Sequence, residues 1–403
     1  MMKEKMVNVC DMVIEWSFYI LLVGITFSTS VVEIAASLMI LAGIMKKIYE
    51  KDTKWWRITS VKMLFLLLGW VILSCVNTKY PSESFRGIFK VVEYSLIFII
   101  MATNIWEEKQ IKRFLYVIVG SVMLMVVNGI YQYFIGEGFI RHRTLIPEDY
   151  LHRISSSFIH PNDFGVYLLV VCTILIALLL SKSTRMKDKT MFFISLVASS
   201  VCLFLTRSRG AWLSFSASFL VLGATKTKRL LATFLALLLV IFLILPYSVQ
   251  ERIFSLTDVK SGTTWERVML WKGTINMIKV HPILGFGVNT YSRNFPKYKP
   301  GEYPDVRYSH NCYLHMASEI GIVGALIFLI FLVTVFVYVL RGIFLIKSGL
   351  RKDVSIGLFA GLIGFTINSM VDTHLYSVNL AVFFHLLLGF CFSLVYHAEK
   401  ERN

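Results

Sequence analysis

Arg307-Tyr308-Ser309-His310-Asn311-Cys312 leads into the run Y-L-H-M-A-S-E-I-G-I-V-G-A-L-I-F-L-I-F-L-V-T-V-F-V-Y-V-L, which stops at Arg341. From Ile320 to Leu340 there is no charged residue. About 20 apolar residues, coiled as a helix, cross the ~30 Å hydrocarbon layer of a bilayer. A polar stretch ending in His310-Asn311 therefore meets the head of a membrane span. Outward from this point, the chain repeats the apolar half of the pattern many times.

Hydrophobic residues make up 56% of the 403, and mean hydropathy is +0.67. That is far above a soluble domain, and the strand-length alternation of an outer-membrane barrel is absent. About twelve segments reach span length. They lie near 12–27, 30–46, 61–77, 86–103, 113–134, 163–181, 190–206, 210–225, 229–247, 313–341, 354–371 and 376–396. The expected fold is an all-α polytopic membrane protein of about twelve transmembrane helices. One large extracytoplasmic loop subdomain separates spans nine and ten. The expected division is 1–247 for the first nine spans, 248–312 for the loop subdomain with its surface helices, and 313–403 for the last three spans. The basic N-terminus followed by an apolar segment looks like a signal peptide. A second apolar run follows at once without a small-x-small cleavage site, so the first is read as a retained span.

The loops set the orientation. Lys46, Lys47, Lys51, Lys54 and Arg57 follow the second span, and Lys109, Lys112 and Arg113 the fourth. Lys182 to Lys189, Lys226 to Arg229 and Arg341 to Lys352 follow the sixth, eighth and tenth. With the spans as counted, all these loops share one side, which the positive-inside rule makes cytoplasmic together with both termini. The formal charge of +16 is explained by those loops and by basic residues lining an anion site. No nucleic-acid signature accompanies it. The six cysteines are scattered without C-x-x-C, which indicates neither a disulfide framework nor a metal cluster.

The outer side carries the candidate chemistry. Thr206-Arg207-Ser208-Arg209-Gly210-Ala211-Trp212 joins two spans with hardly any loop. Charge near membrane depth is costly and marks function by default. Guanidinium forks suit phosphate oxygens, and Gly210 favours Arg209 because it permits close approach; the alternative is snorkelling to headgroups. Thr263 and Glu266 have capping-box spacing, so a helix starts there with Val268, Trp271, Ile275 and Ile278 on one face and Pro282 at its end. Arg267 in its first turn would sit beside free amides that favour an anion, or be a solvated arginine. His281-Pro282-Ile283-Leu284-Gly285-Phe286-Gly287 reads as a tight bend, with His281 a helix C-terminal residue. His310 at a span head can exchange a proton near neutral pH; the alternative is an interfacial histidine without chemistry. Asn311 suits a helix cap, and His315 suits packing. Near His160, Asn162 or Asp163 reads as a cap for span six, behind Pro161. Asp372 either orients a histidine or arginine or is an uncommitted polar helix end. No set of residues has metal-ligand spacing, and no Walker-type loop or G-x-S-x-G is present. Chemistry outside the cytoplasm lacks ATP, so the driving force must come with the substrate.

With these motifs in view, the chain resembles the O-antigen ligase and polymerase superfamily, most strongly from about Ser157 to Gly324. The T-R-S-R-G-A-W turn, the W-E-R-x-x-x-W and H-P-I-L-G-F-G run, and the S-H-N-C-Y-L…E-I-G-I-V-G entry to span ten carry the resemblance. It implies a glycosyltransferase of the bacterial inner membrane, active on the periplasmic side, without metal, nucleotide sugar or other cofactor. The donor would be a glycan on undecaprenyl pyrophosphate. A ligase passes that glycan to lipid A–core, a polymerase to another lipid-linked repeat. By motif the catalytic histidine falls on His310, the essential arginines on Arg209 and Arg267, and an acidic position on Asp372. Arg207, Arg141, Arg153, Asp372 and Asn311 are assigned to substrate binding around them. Many ligases read H-x-H-N where this chain reads Tyr308-Ser309-His310-Asn311, which weighs toward polymerase. A lipid-linked glycan transporter is the rival of another class, but it would carry more polar residues within its spans than Glu33 and Glu93.

Overall fold

The computed structural model describes residues 2–51, 55–76, 78–145, 152–227, 229, 232, 262–301 and 303–400. Among them the chain is helical, with one isolated β-bridge between Glu137 and Thr144. The principal helices are α1 Met2–Phe27, α2 Thr29–Glu50, α3 Thr59–Ser74, α4 Pro81–Thr103, α5 Glu108–Ile135, α6 Pro161–Leu179, α7 Met186–Leu205 and α8 Arg209–Thr225. They continue with α9 Gly262–Val280, α10 Tyr291–Asn294, α11 Cys312–Leu345, α12 Leu350–Asn368 and α13 Val378–Lys400.

Among the described residues, 6 helices are long and apolar enough to cross a membrane: α1, α5, α6, α7, α11 and most of α13. The expectation of about twelve is met only this far by length and composition. Helices α3 and α8 are short, and α2, α4 and α12 carry charges such as Lys46, Lys90 and Asp353 within their length. Apart from 229 and 232, the segment expected at 229–247 lies outside the described residues, as does 248–261 of the expected loop subdomain.

Small residues determine how the bundle closes. A Cβ on Gly357 or Gly361 of α12 would lie 2.7 Å from Ile174 Cα or 3.0 Å from Val170 Cα of α6. One on Gly364 would meet Ser218 Oγ of α8 at 2.1 Å. Without side chains here, the backbones of α6, α8 and α12 come together as small residues allow in membrane bundles. The same ends of these helices then coincide: the start of α6, the start of α8 and the residues after α12. At the opposite end, Lys226 after α8 pairs with Asp353 of α12, and Arg351 donates to the Trp106 carbonyl.

Span ten is not one continuous helix. Gly321 breaks α11 with φ 75° and ψ 169°, and a Cβ there would fall 1.8 Å from the Ile283 carbonyl oxygen. The 282–287 turn inserts at the break. Phe286 and Gly287 N–H donate to the Ser318 and Glu319 carbonyls, and Ile322 N–H donates to Pro282. Trp70 Nε1 caps the Ile320 carbonyl at 2.9 Å. The groups freed by the break are thus satisfied by this turn and Trp70.

Helix α9 ends at Val280, before Pro282, as expected, and it buries a face that the spacing did not single out. Leu270, Thr274 and Met277 are buried against Tyr291 and Phe295 in a separate small core. Gly273 admits the Phe295 ring, where a Cβ would sit 2.7 Å away. Ile275, on the apolar face read from spacing, is exposed, and Val268, Trp271 and Ile278 of that face are half-buried. Apolar residues occupy more than one side of α9, and the small residues Gly273 and Thr274 decide which side packs. Thr263, the other half of the expected capping box, has no described side chain.

Candidate active site

Asp372, in the short turn between α12 and α13, is the centre of the candidate site. Its carboxylate is nearly buried and collects donors from four parts of the chain. His310 Nδ1 lies 3.0 Å from Oδ1, which also accepts from Thr373 N–H at 2.8 Å. Asn162 Nδ2 donates to Oδ2 at 2.7 Å, and an Arg267 terminal nitrogen is 4.0 Å from the same oxygen. Burial by itself pushes the carboxyl up. The His310 hydrogen bond and the charges of His374, His310 and Arg267 outweigh it, and Asp372 is held well below the usual carboxylate range. An ionised acceptor sets the ring's orientation: Nδ1 of His310 is the protonated donor to Asp372, so in the neutral imidazole Nε2 is the nitrogen with the lone pair. The His310 side chain is 44% exposed, so the imidazole can meet a ligand while held from behind.

His310 has φ 50° and Arg207 φ 51°, both in the left-handed region that non-glycine residues rarely adopt. The two residues stand at the sharp turns that open α11 and α8. Ser208 caps α8, its Oγ accepting from Ala211 N–H at 3.4 Å. Arg209 is therefore the first helical residue. A Cβ on Gly210 would lie 3.0 Å from Val371 Cγ2, so α8 starts against the turn that carries Asp372.

A second carboxylate–histidine pair lies beside the first. His374 Nδ1 is 2.9 Å from Asp163 Oδ1, and Nε2 is 3.0 Å from Asn368 Oδ1. Both ring nitrogens face acceptors, which calls for the imidazolium. Burial lowers the His374 pKa, but the Asp163 hydrogen bond and the charges of Asp372 and Asp163 prevail and raise it. Asn162 and Asp163 do not cap α6, as the sequence reading had it. His160 is the N-cap and uses no side-chain bond; the two polar residues reach across to Asp372 and His374. A helix-opening N-D dipeptide carries the same local signal in both roles, and only the approach of α12 separates them.

The remaining expected site residues divide. Arg153 joins the site indirectly, donating to Asn162 Oδ1 at 2.9 Å and to the Thr206 carbonyl at 3.0 Å. Asn311 caps α11, accepting from Tyr313 and Leu314 N–H at 3.0 Å. Arg141 is tied to the end of α1 through the Phe27 carbonyl, 2.6 Å from its Nε. His315 is buried, its ring 4.0 Å from Tyr376 and 4.2 Å from Tyr291. His281 is exposed at the end of α9, against Phe286.

The turn before α8, Arg267 of α9 and the His310 entry to α11 all fall in one contiguous stretch of sequence. Residues 194–329 match the O-antigen ligase family model. The match supports membership of the O-antigen ligase/polymerase superfamily, which the motifs pointed to. No curated protein matches the chain. The O-antigen ligase match contains Arg207, Arg209, Arg267 and His310. It leaves out Asn162, Asp163, Asp372 and His374; Asp372 enters the site on the resemblance and the geometry, the other three on the geometry alone.

Proposed function

We propose that the protein is an inverting glycosyltransferase that moves a glycan from undecaprenyl pyrophosphate to an acceptor hydroxyl at the periplasmic face of the inner membrane. The observation that carries this reading is the His310–Asp372 contact with Arg267 beside the same carboxylate. Asp372 holds Nδ1, so Nε2 of His310 is the general base for the acceptor hydroxyl. The acceptor proton passes to Nε2 as its oxygen bonds to the anomeric carbon. The bond from that carbon to the pyrophosphate oxygen breaks on the opposite face, and the electron pair leaves with the pyrophosphate. Arg267 and Arg209 stabilise the charge gathering there. A single direct displacement inverts the anomeric centre and needs neither a covalent glycosyl-enzyme nor a metal.

Ligation to lipid A–core is the first reading of the acceptor. Tyr308, where a ligase pattern has a histidine, favours polymerisation onto a second lipid-linked repeat as the other. The positive loops at the far end of the helices support a periplasmic site with cytoplasmic termini. The test is transfer by the purified protein from lipid-linked glycan, with each acceptor supplied separately and no ATP. His310→Ala should lose transfer while remaining folded and membrane-inserted. Wild-type turnover in that variant would remove the base assignment, and movement of glycan without a new linkage would make the protein a transporter.

A further inference from the structure

A cavity of about 380 Å³ lies between α3 and α4 on one side and α11 and α13 on the other. It does not include His310 or Asp372, but Arg307 and Tyr308 line it, so it opens just ahead of the candidate base. Its composition is divided. Leu64, Leu67 and Phe328 form an apolar wall, while Arg86 and Lys90 stand one turn apart on α4. Arg293, also on the lining, is neutralised by Glu83 at 2.7 Å. Among the described residues Arg86 and Lys90 have no ion pair or hydrogen bond. They sit in a segment whose sequence reads as a span, with Glu93 one turn beyond Lys90 as the neighbouring acid, and charge in such a segment points to function.

A second observation comes from the other side of the cavity. Glu319 is buried at 1% exposure, with Oε1 accepting from Tyr291 N–H at 3.0 Å. Its Oε2 is buried too and has no hydrogen-bond partner, His315 Nε2 lies 3.5 Å from Oε1, and the residue borders the same space. A buried carboxylate oxygen without a donor is costly unless a ligand supplies one, and sugar hydroxyls are donors. Cations at one wall, an apolar surface at another and an unmet acceptor between them describe an amphiphile that is at once anionic, hydroxylated and lipid-borne.

We propose that this cavity is the acceptor site, binding the phosphate of a lipid-borne acceptor on Arg86 and Lys90, its hydrocarbon along Leu64, Leu67 and Phe328, and a sugar hydroxyl on Glu319. This rests on the glycosyltransferase reading, in which Arg267 and Arg209 take the donor's pyrophosphate and the acceptor must reach His310 from another direction. The Arg307-Tyr308 stretch provides that direction. Ligation and polymerisation both require it, because lipid A and a lipid-linked repeat each carry phosphate on a lipid.

The experiment uses the full chain in detergent, with the double variant Arg86→Gln/Lys90→Gln; both side chains are exposed, so folding should be retained. Direct binding is measured with undecaprenyl phosphate, its alcohol undecaprenol, and inorganic phosphate. The double variant should bind undecaprenyl phosphate about tenfold or more weakly, and the alcohol should bind wild type comparably weakly. In turnover the acceptor KM should rise by a similar factor while the donor KM stays in place. Unchanged binding in the double variant, or a rise in donor KM alone, overturns the proposal. Inorganic phosphate competing as well as the lipid would reassign the cavity to a soluble anion. His310→Ala should bind the lipid as wild type does. If no acceptor ever supports transfer but the double variant still loses lipid binding, the glycosyltransferase reading fails while the anionic-lipid site stands.

Discussion

Replacing Asp372 by asparagine keeps the side chain's volume and removes its charge. In the native arrangement one carboxylate oxygen accepts from His310 and Thr373 N–H, and the other accepts from Asn162 and faces Arg267. An amide has one acceptor oxygen. Turned either way, its NH2 group points at donors: at His310 and Thr373 in one orientation, at Asn162 and Arg267 in the other. In the first, relief comes if the His310 proton moves to Nε2, which then cannot act as a base. In the second, the hydrogen bond to Nδ1 survives but the charge that steadies the imidazolium is gone. A buried unmet polar group costs about 1–3 kcal/mol of stability. Loss of a positioned general base lowers rate by about 10²–10⁴-fold, or roughly 3–5 kcal/mol in the barrier. The assay is single-turnover transfer from lipid-linked glycan by the purified variant, beside its thermal unfolding. The expected result is a fall in kcat of at least about 100-fold, with donor KM nearly unchanged and a shift of a few degrees in Tm. Wild-type kcat in a folded Asp372→Asn protein would refute the argument that this carboxylate sets the state of His310.

Two further outcomes test the frame around the site. Gly321→Ala sets a methyl group 1.8 Å from the Ile283 carbonyl at φ 75° and ψ 169°; that backbone region, essentially confined to glycine, alone costs about 1–3 kcal/mol. It should lower Tm measurably and detach the 282–287 turn, seen as faster proteolysis there; an unchanged Tm would mean that the break in α11 is not needed. His374 has a raised pKa, so its contribution to stability is complete below its unfolded value near pH ~6.5 and is lost as pH rises through the higher folded value. Wild type should therefore lose Tm relative to His374→Gln as pH is raised through that window, and parallel pH curves for the two proteins would contradict the imidazolium assignment.

Local sequence marked part of the candidate site. His310, Arg267 and Arg209 were marked by guanidinium and imidazole chemistry at helix heads outside the expected cytoplasmic side, and Asp372 was left open between an orienting role and none. Local sequence did not carry Asn162, Asp163 or His374, because a polar pair opening a helix looks the same whether it caps its own amides or bonds a distant turn. The signal that would have found them was elsewhere, in Gly357, Gly361 and Gly364. Small residues spaced along one helix face announce a close neighbour without saying which one. The small core on α9 went unread for a related reason: Gly273, with no side chain, is invisible to an apolar pattern.

The sequence by itself determined that this chain is a bundle of apolar helices with its exchangeable and cationic groups gathered at helix ends. That follows from hydrocarbon thickness and the cost of charge inside it, both of which act residue by residue. Tertiary structure alone decided which of those ends meet. Asp372 lies 62 positions from His310 and 210 from Asn162, and no local rule links such positions. They are joined because the glycines of α12 let α6, α8 and α12 close together and because the head of α11 is tied to the turn after α12, Cys312 N–H donating to the Ser369 carbonyl.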